Sequence, residues 1–226
     1  AIHTDTFIYC CDSLGLDPEV IYSAYMTVPS IKNKDEFVIQ LTKDILNPDF
    51  AITDAPSIAL FVKNLIGFYV IMEGIFFYAG FAMMLALKRS NKMVGIGQQF
   101  EYIMRDESIH LAFGCQVINT IKQEHPEIWT EEFCQKITLL IEQAVELEHK
   151  YVHDACPQSF VGINPEHFCQ YVSHIADRRL ERLGLAPLYN VDNPLKWMSQ
   201  STDLIKEKNF FETRVTEYQS AASLKW

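Results

Sequence analysis

One long apolar segment, Leu65 to Leu87, constrains the fold of this chain more than any other feature, and it contains a single charged residue, Glu73. Its 23 residues are enough to cross a bilayer as a helix, so length alone leaves a membrane span and a buried helix equally open. Trp and Tyr do not cluster at its two ends, however, and a carboxylate near its middle would be costly in lipid without a partner. The segment therefore predicts a helix that is buried on all sides in a large bundle, with no membrane association.

The rest of the chain shows the same helical period. Apolar residues recur three and four positions apart, and only 9 Gly and 9 Pro interrupt the 226 residues. Capping residues mark helix starts at Asp17, Asp54, Thr130 and Asn164. The pattern predicts an all-α protein with helices at about 1–14, 18–27, 30–46, 55–88, 94–123, 130–155 and 165–183. We expect one helical domain over 1–204 and a polar tail over 205–226.

Charge and cysteine content exclude two further classes of protein. The formal net charge is −10 and the Lys and Arg residues are scattered, which argues against a surface for nucleic acid. The 6 cysteines show no CxxC spacing and lie within apolar helical patterns, so we expect buried free thiols rather than disulfides. A reducing, cytoplasmic location is the expectation that follows.

Two predicted helices carry polar groups on faces that are otherwise apolar. Glu73 lies in the middle of one face, and Glu107 and His110 lie one turn apart on the face of the next helix. Such groups are costly to bury without partners, whereas two carboxylates and an imidazole are a ligand set for a hard or borderline cation. The three residues therefore predict a metal site. An isolated Glu-x-x-His is more often a hydrogen-bonded pair in a core, so this motif alone does not decide between the two.

A second cluster of Glu and His residues occurs at helical spacing between 142 and 153. Its members are Glu142, Glu146, His149 and His153. They lie opposite an apolar stripe that runs from Phe133 to Tyr151. The pattern therefore predicts a solvent-exposed face here rather than a second metal site.

The first residues of the chain fit the end of another Glu-x-x-His motif. Four-helix carboxylate proteins use a Glu from each of two helices and a Glu-x-x-His from each of the other two. His3 heads a helical face that continues through Phe7, and its partner Glu would stand one residue before Ala1. Neither an N-cap nor a Met precedes this helix, so we expect further residues upstream that complete the site.

Segments in order along the chain together resemble the small subunit of class I ribonucleotide reductases, over nearly its whole length. They read "AIHTDTF", "EGIFFYAGFAMMLAL", "RDESIHLAFG", "HIADRRLERLGL", "NPLKW" and "FFETRVTEY". The resemblance implies a ferritin-like helical bundle with a dinuclear metal site, of which this chain would be the C-terminal two thirds. It also implies a homodimer that works with a large catalytic subunit in the reduction of ribonucleotides to deoxyribonucleotides.

The same resemblance implies roles for individual residues. His3, Glu73, Glu107 and His110 would be metal ligands, together with upstream carboxylates. Glu107 and His110 would join Glu73 around one metal, and His3 would lie beside the other. Asp106 would accept the outer N–H of His3 and so fix the orientation of its ring.

Phe7 departs from the usual pattern of the family. Radical-bearing members have a Tyr one turn beyond the first ligating His, and Phe7 stands at the matching position. The departure excludes the usual stable tyrosyl radical and implies the class Ic subgroup, in which a manganese–iron pair stores the oxidising equivalent after reaction with molecular oxygen. A di-iron pair is the alternative cofactor, and a Phe that simply fills the core is compatible with either.

The tail from Phe210 to Trp226 lacks a helical stripe and ends in apolar residues, which is typical of a segment that docks on a partner. By resemblance that partner is the large subunit, and Tyr218 relays the oxidising equivalent between subunits, after His3, Asp106 and an upstream Trp. The sequence leaves the role of Tyr102 open.

Three other kinds of protein remain as alternatives: a ligand-binding manganese–iron oxidase of the same fold, a ferritin-like store, and a non-catalytic membrane protein. An oxidase that keeps its own substrate has no use for a docking tail with a relay Tyr. A ferritin-like store needs neither Asp106 nor the tail. Both features favour the reductase subunit.

Overall fold

The computed structural model describes residues 2–203, with side chains from residue 3 to residue 199. Over this range the only β-type pairing is one isolated bridge between Phe160 and Ile163. The α-helices in this range are α1 (Ile2–Ser13), α2 (Pro18–Tyr22), α3 (Ala24–Thr27), α4 (Pro29–Thr42), α5 (Ala55–Leu65), α6 (Tyr78–Arg89), α7 (Val94–Glu124), α8 (Glu131–Ala155), α9 (Pro165–Leu183) and α10 (Lys196–Asp203). A π-helical segment, Ile66–Phe76, joins α5 to α6. The all-α prediction is confirmed for the described part of the chain.

Polar side chains cap the helix starts that the sequence predicts. Asp17, Asp54, Thr130 and Asn164 each accept a backbone N–H from the first turn of the following helix. The capping is reciprocal at α5, where the Ser57 N–H donates to Asp54 at 2.9 Å and the Asp54 N–H donates to the Ser57 hydroxyl at 3.0 Å. These bonds satisfy backbone donors that have no partner inside the helix.

The predicted helix over 55–88 is present, but it changes register in its middle. α5 passes into the π-helical segment, and α6 begins at Tyr78. A π-helix pairs each carbonyl with the N–H five residues on rather than four. The sequence does not reveal such a change, because this segment is apolar on every side apart from Glu73 and so shows no period that could shift.

Some other boundaries differ from the prediction. The helix expected over 18–27 is interrupted at Ser23 and forms α2 and α3. The helix expected over 30–46 ends as α4 at Thr42, and a 3₁₀ turn, Lys43–Leu46, follows it. The sequence did not predict α10. The predicted tail over 205–226 lies outside the described residues.

The central helical stretch, Ala55–Arg89, is a core element of the fold. Among the described residues it is the one helix with the length and hydropathy of a membrane span, but 72% of its most apolar window is buried inside the protein. The π-helical segment contacts α4, α7, α8 and α9, and the side chains of Val70, Ile71 and Ile75 are fully buried. This arrangement agrees with the predicted buried helix.

α7 approaches the π-helical segment closely because Gly114 has no side chain. A Cβ added at Gly114 would lie 2.3 Å from Cγ of Tyr69, well inside van der Waals contact. Tyr69 lies one turn before Glu73, and Gly114 lies two turns after Glu107. The close approach therefore holds the two carboxylate-bearing elements together.

We expect Gly114→Ala to destabilise the protein by about 1–3 kcal/mol, because Tyr69 must leave its position. The matched control is Gly80→Ala in α6, where an added Cβ has no neighbour within 4 Å. This control should be neutral or stabilising by roughly 0.5–1 kcal/mol, because Ala restricts the unfolded chain more than Gly does. Urea unfolding followed by circular dichroism measures both, and equal stability of the two variants would contradict the close packing.

Candidate metal centre

Three side chains from two elements converge inside the bundle. Glu73 comes from the π-helical segment, and Glu107 and His110 come from α7. Nδ1 of His110 lies 3.1 Å from Oε2 of Glu107 and 3.5 Å from Oε1 of Glu73. Their ligand atoms all lie within 4.8 Å of one another, and among the described residues this is the group of His, Cys, Asp and Glu close enough to hold a metal ion. The convergence that the helix faces predict is therefore present.

The two carboxylates are buried side by side in apolar surroundings. Glu73 is 7% exposed and Glu107 is 6% exposed, whereas His110 is half-exposed. Burial, and then the charge of Glu107, raises the pKa of Glu73 to about 7, and His110 opposes the shift. Oε2 of Glu73 is buried and makes no hydrogen bond to any described residue. A bound cation would supply the missing partner and stabilise both carboxylates in their charged form.

His3 of α1 extends the cluster from the other side of Glu107. Its Nε2 lies 3.7 Å from Oε1 of Glu107 and 3.7 Å from Oδ2 of Asp106. Its Nδ1 is buried and has no hydrogen-bond partner among the described residues. Glu107 thus turns Oε2 towards His110 and Oε1 towards His3.

Asp106 faces two neighbours. One of its carboxylate oxygens approaches His3, and the other lies 3.5 Å from Nη2 of Arg105. Asp106 therefore lies between the imidazole of His3 and the guanidinium of Arg105.

Phe7 lies one helical turn after His3, at the side of the cluster. Its ring packs edge-on against Phe100 of α7, with the ring centroids 5.6 Å apart. The ring is 48% exposed and carries no O–H group.

The second Glu and His cluster is less exposed than the sequence predicts. Glu146 and His153 are exposed as expected, but His149 is half-buried beneath α9. Nε2 of His149 lies 2.9 Å from the Cys169 carbonyl oxygen and 3.3 Å from the Ser173 hydroxyl, and burial lowers its pKa. The prediction of a solvated face is wrong at His149, and Glu142 is also half-buried, because α9 packs across this side of α8.

The sequence analysis missed a buried carboxylate, Glu148 of α8. Its side chain is 0% exposed and lies 2.5 Å from Nζ of Lys34. Glu148 continues a fully apolar face through Ile141, Ala144 and Val152 at spacings of three and four. The helical period could therefore have identified it. Tyr218 and the docking segment Phe210 to Trp226 lie outside the described residues.

Comparison with known proteins connects this geometry to a family. The family model "Ribonucleotide reductase, small chain" matches residues 1–194, which include every residue of the cluster. The chain belongs to this family. The recognition from sequence motifs is confirmed at the level of the family.

Individual members of the ribonucleotide reductase small-chain family agree in sequence and fold. A ribonucleoside-diphosphate reductase subunit beta of Chlamydia pneumoniae is 55% identical over 226 residues, which are 100% of this chain and 65% of that protein. A small chain of Encephalitozoon cuniculi is 31% identical over 97% of this chain and 62% of that one. The R2 subunit from Clostridium botulinum superimposes with a TM-score of 0.77 and 27% identity, covering 88% of this chain and 62% of that one. The chain therefore spans less than two thirds of the length of these relatives.

We expect Glu107→Ala to deplete bound metal, because among the described residues Glu107 is the one carboxylate that lies within 3.7 Å of both His3 and His110. The matched control is Glu146→Ala, which removes an exposed carboxylate from α8 and should leave metal content unchanged. Elemental analysis of the purified full-length proteins after loading with Mn(II) and Fe(II) measures both. Equal losses from the two variants would show that the cluster is not the metal centre.

Proposed function

We propose that this protein is the small subunit of a ribonucleoside-diphosphate reductase and that His3, Glu73, Glu107 and His110 hold a pair of metal ions in it. The observation that carries the proposal is the convergence of these four side chains in a member of the small-chain family. Upstream carboxylates would complete the ligand set.

We take manganese and iron as the pair, with two irons as the alternative. Carboxylate oxygens and imidazole nitrogens are suitable ligands for both metals. The buried atoms without hydrogen-bond partners, Oε2 of Glu73 and Nδ1 of His3, support the fit. When bound, such a pair would supply redox chemistry with molecular oxygen.

The protein's own residues hold the site in position. Nε2 of His3 lies 3.7 Å from both Asp106 and Glu107, and Nδ1 is buried with no hydrogen-bond partner among the described residues. In our proposal the Nε2–H donates to Asp106, and Nδ1 acts as the ligand. This tautomer is the one in which Asp106 can accept a proton from the ring. In our proposal the His3–Asp106 pair also forms part of the route of the oxidising equivalent towards Tyr218.

Phe7 supports assignment to the class Ic subgroup. Its position one turn after His3 is that of the radical Tyr in other members, and a phenyl ring has no phenolic proton to lose. The oxidising equivalent would therefore be stored at the metal pair. This reasoning favours manganese and iron over two irons.

The partner in this proposal is the large catalytic subunit, which would bind the tail from Phe210 to Trp226. Tyr218 in that tail would pass the oxidising equivalent across the interface. We further propose a homodimeric small subunit that acts in the cytoplasm. A manganese–iron oxidase of the same fold is the rival, and it would need no such tail.

Turnover with the large subunit tests the proposed function directly. Full-length protein loaded with Mn(II) and Fe(II) in the presence of oxygen should support reduction of ribonucleoside diphosphates when the large subunit is added. Its electron paramagnetic resonance spectrum should lack a stable tyrosyl signal, because Phe7 occupies the radical position. No deoxyribonucleotide product would refute the proposed function, and a strong tyrosyl signal would refute the class Ic assignment.

Tyr218→Phe should abolish turnover with the large subunit while metal loading and folding remain as in the parent protein. The substitution removes only the phenolic O–H, which a relay by proton-coupled oxidation requires. Product formation, metal content and circular dichroism measure the three properties on the same sample. Full turnover by the variant would exclude the relay role of Tyr218.

A further inference from the structure

The π-helical segment ends three residues after Glu73, where the backbone changes from π to α hydrogen bonding. The segment finishes at Phe76, and α6 begins at Tyr78. A change from π to α pairing interrupts the ladder of backbone hydrogen bonds, so groups on both sides of the junction need other partners. We refer to residues 74–79 as the register junction.

A buried ion pair from two other helices lies against the register junction. Nζ of Lys34 in α4 lies 2.5 Å from Oε2 of Glu148 in α8, and the same Nζ donates a hydrogen bond of 3.1 Å to the Phe76 carbonyl. Burial raises the pKa of the Glu148 carboxyl and the Ala79 N–H lowers it slightly, but this N–H makes no hydrogen bond to the carboxyl. Lys34 therefore supports the last carbonyl of the π-helical segment, and Glu148 holds the Lys34 ammonium in place from the other side.

The surroundings of this pair keep it in one geometry. The Lys34 side chain is 12% exposed and that of Glu148 is 0% exposed. Nζ of Lys34 also lies over two rings, 4.1 Å from the centroid of Tyr151 and 4.8 Å from that of Phe76. A flexible ammonium group is thus confined to the position from which it reaches the Phe76 carbonyl.

A second buried cation binds the opposite end of the register junction. Nε of Arg179 in α9 donates a hydrogen bond of 2.8 Å to the carbonyl of Gly74, the residue next to Glu73. Its guanidinium lies over the ring of Tyr78, 4.7 Å from the ring centroid. Lys34 and Arg179, which lie outside the metal centre, therefore donate hydrogen bonds to the carbonyls of Phe76 and Gly74. These carbonyls stand at the two ends of the stretch 74–76.

We propose that Lys34 and Glu148 are positioning residues for Glu73, because they hold the π-helical register that turns its carboxylate towards Glu107 and His110. Each residue of an α-helix turns about 100° around the axis, so a relaxation of the π register near Glu73 would rotate this side chain away from α7. The inference rests on the metal centre proposed above. The inference adds two residues outside the metal centre, Lys34 and Glu148, which would set the direction of the Glu73 side chain through the backbone.

The chemistry of the pair supports a positioning role over a purely stabilising one. Burying two charges is costly, and well-packed apolar residues in place of a buried ion pair are often neutral or stabilising. A stabilising role alone therefore does not explain why two charges are buried here. Lys34 donates a hydrogen bond to the Phe76 carbonyl, which an apolar side chain could not do.

The test is the double substitution Lys34→Met/Glu148→Gln in the full-length protein. It removes both charges together, so no unpaired charge stays buried, and it removes the hydrogen bond to the Phe76 carbonyl. Anaerobic titration of the metal-free protein with Mn(II), followed by electron paramagnetic resonance, gives the affinity and the hyperfine pattern of the bound ion. We expect an affinity roughly 10-fold or more below that of the parent, with a changed hyperfine pattern, because Glu73 no longer faces the site.

The matched control is Lys88→Met/Glu101→Gln, which removes another Lys–Glu pair of 2.7 Å between α6 and α7. This control should bind Mn(II) as the parent does. Unchanged affinity and hyperfine pattern in Lys34→Met/Glu148→Gln would overturn the inference. If that variant does not fold, Lys34→Met alone takes its place, since it also removes the hydrogen bond to the Phe76 carbonyl, and unchanged Mn(II) binding by it would equally overturn the inference.

Amide hydrogen exchange separates this inference from the proposed function. In metal-free protein, exchange over the register junction should be faster in Lys34→Met/Glu148→Gln than in the parent, and unchanged in the control. Equal exchange in all three proteins would contradict the positioning role whether or not metal binds. Failure of the parent itself to bind Mn(II) would instead count against the proposed function.

Discussion

The cost of burying Glu73 and Glu107 side by side in an apolar bundle is the constraint on which the rest of this structure depends. Two adjacent carboxylates repel each other and lose their hydration, as the raised pKa of Glu73 shows. His110 offsets only part of this cost, and Oε2 of Glu73 has no partner among the described residues. A cation between the carboxylates removes the repulsion and supplies the partner, so the architecture and the proposed chemistry have the same physical origin.

The helices around the site hold the two carboxylates together. Gly114 lets α7 approach Tyr69, and the approach places Glu107 opposite Glu73. In our proposal the π-helical segment sets the direction in which Glu73 points. Lys34 of α4 and Arg179 of α9 donate hydrogen bonds to carbonyls of this segment, so the direction of Glu73 would depend on helices that carry none of the proposed ligands.

Much of the site follows from the sequence, for identifiable reasons. Glu73, Glu107 and His110 interrupt apolar faces at helical spacing, and that pattern is enough to predict that they point inward. His3 and Asp106 required the resemblance to a family, because one His at the start of a chain has no periodic signal of its own. The family itself is confirmed by the match over 1–194, whereas the class Ic assignment and the ligand roles remain proposals.

The remaining features depend on contacts between helices or on backbone pairing. The π register near Glu73 changes which N–H meets which carbonyl, and the sequence does not show it because the segment Ile66–Phe76 is apolar on every side apart from Glu73. His149 is half-buried because α9 packs over it, which a single helix face cannot show. Glu148 differs from both, since its own apolar neighbours on α8 would have revealed its burial.

Anomalous X-ray diffraction from crystals of the full-length protein loaded with Mn(II) and Fe(II) tests the central claim most directly. Data collected at the absorption edges of both metals locate each ion independently of the protein's electron density. The account predicts two peaks about 4 Å apart, one among Glu73, Glu107 and His110 and the other beside His3 and Glu107. Peaks elsewhere, such as at His149 and His153, or the absence of a peak between Glu73 and Glu107, would contradict it.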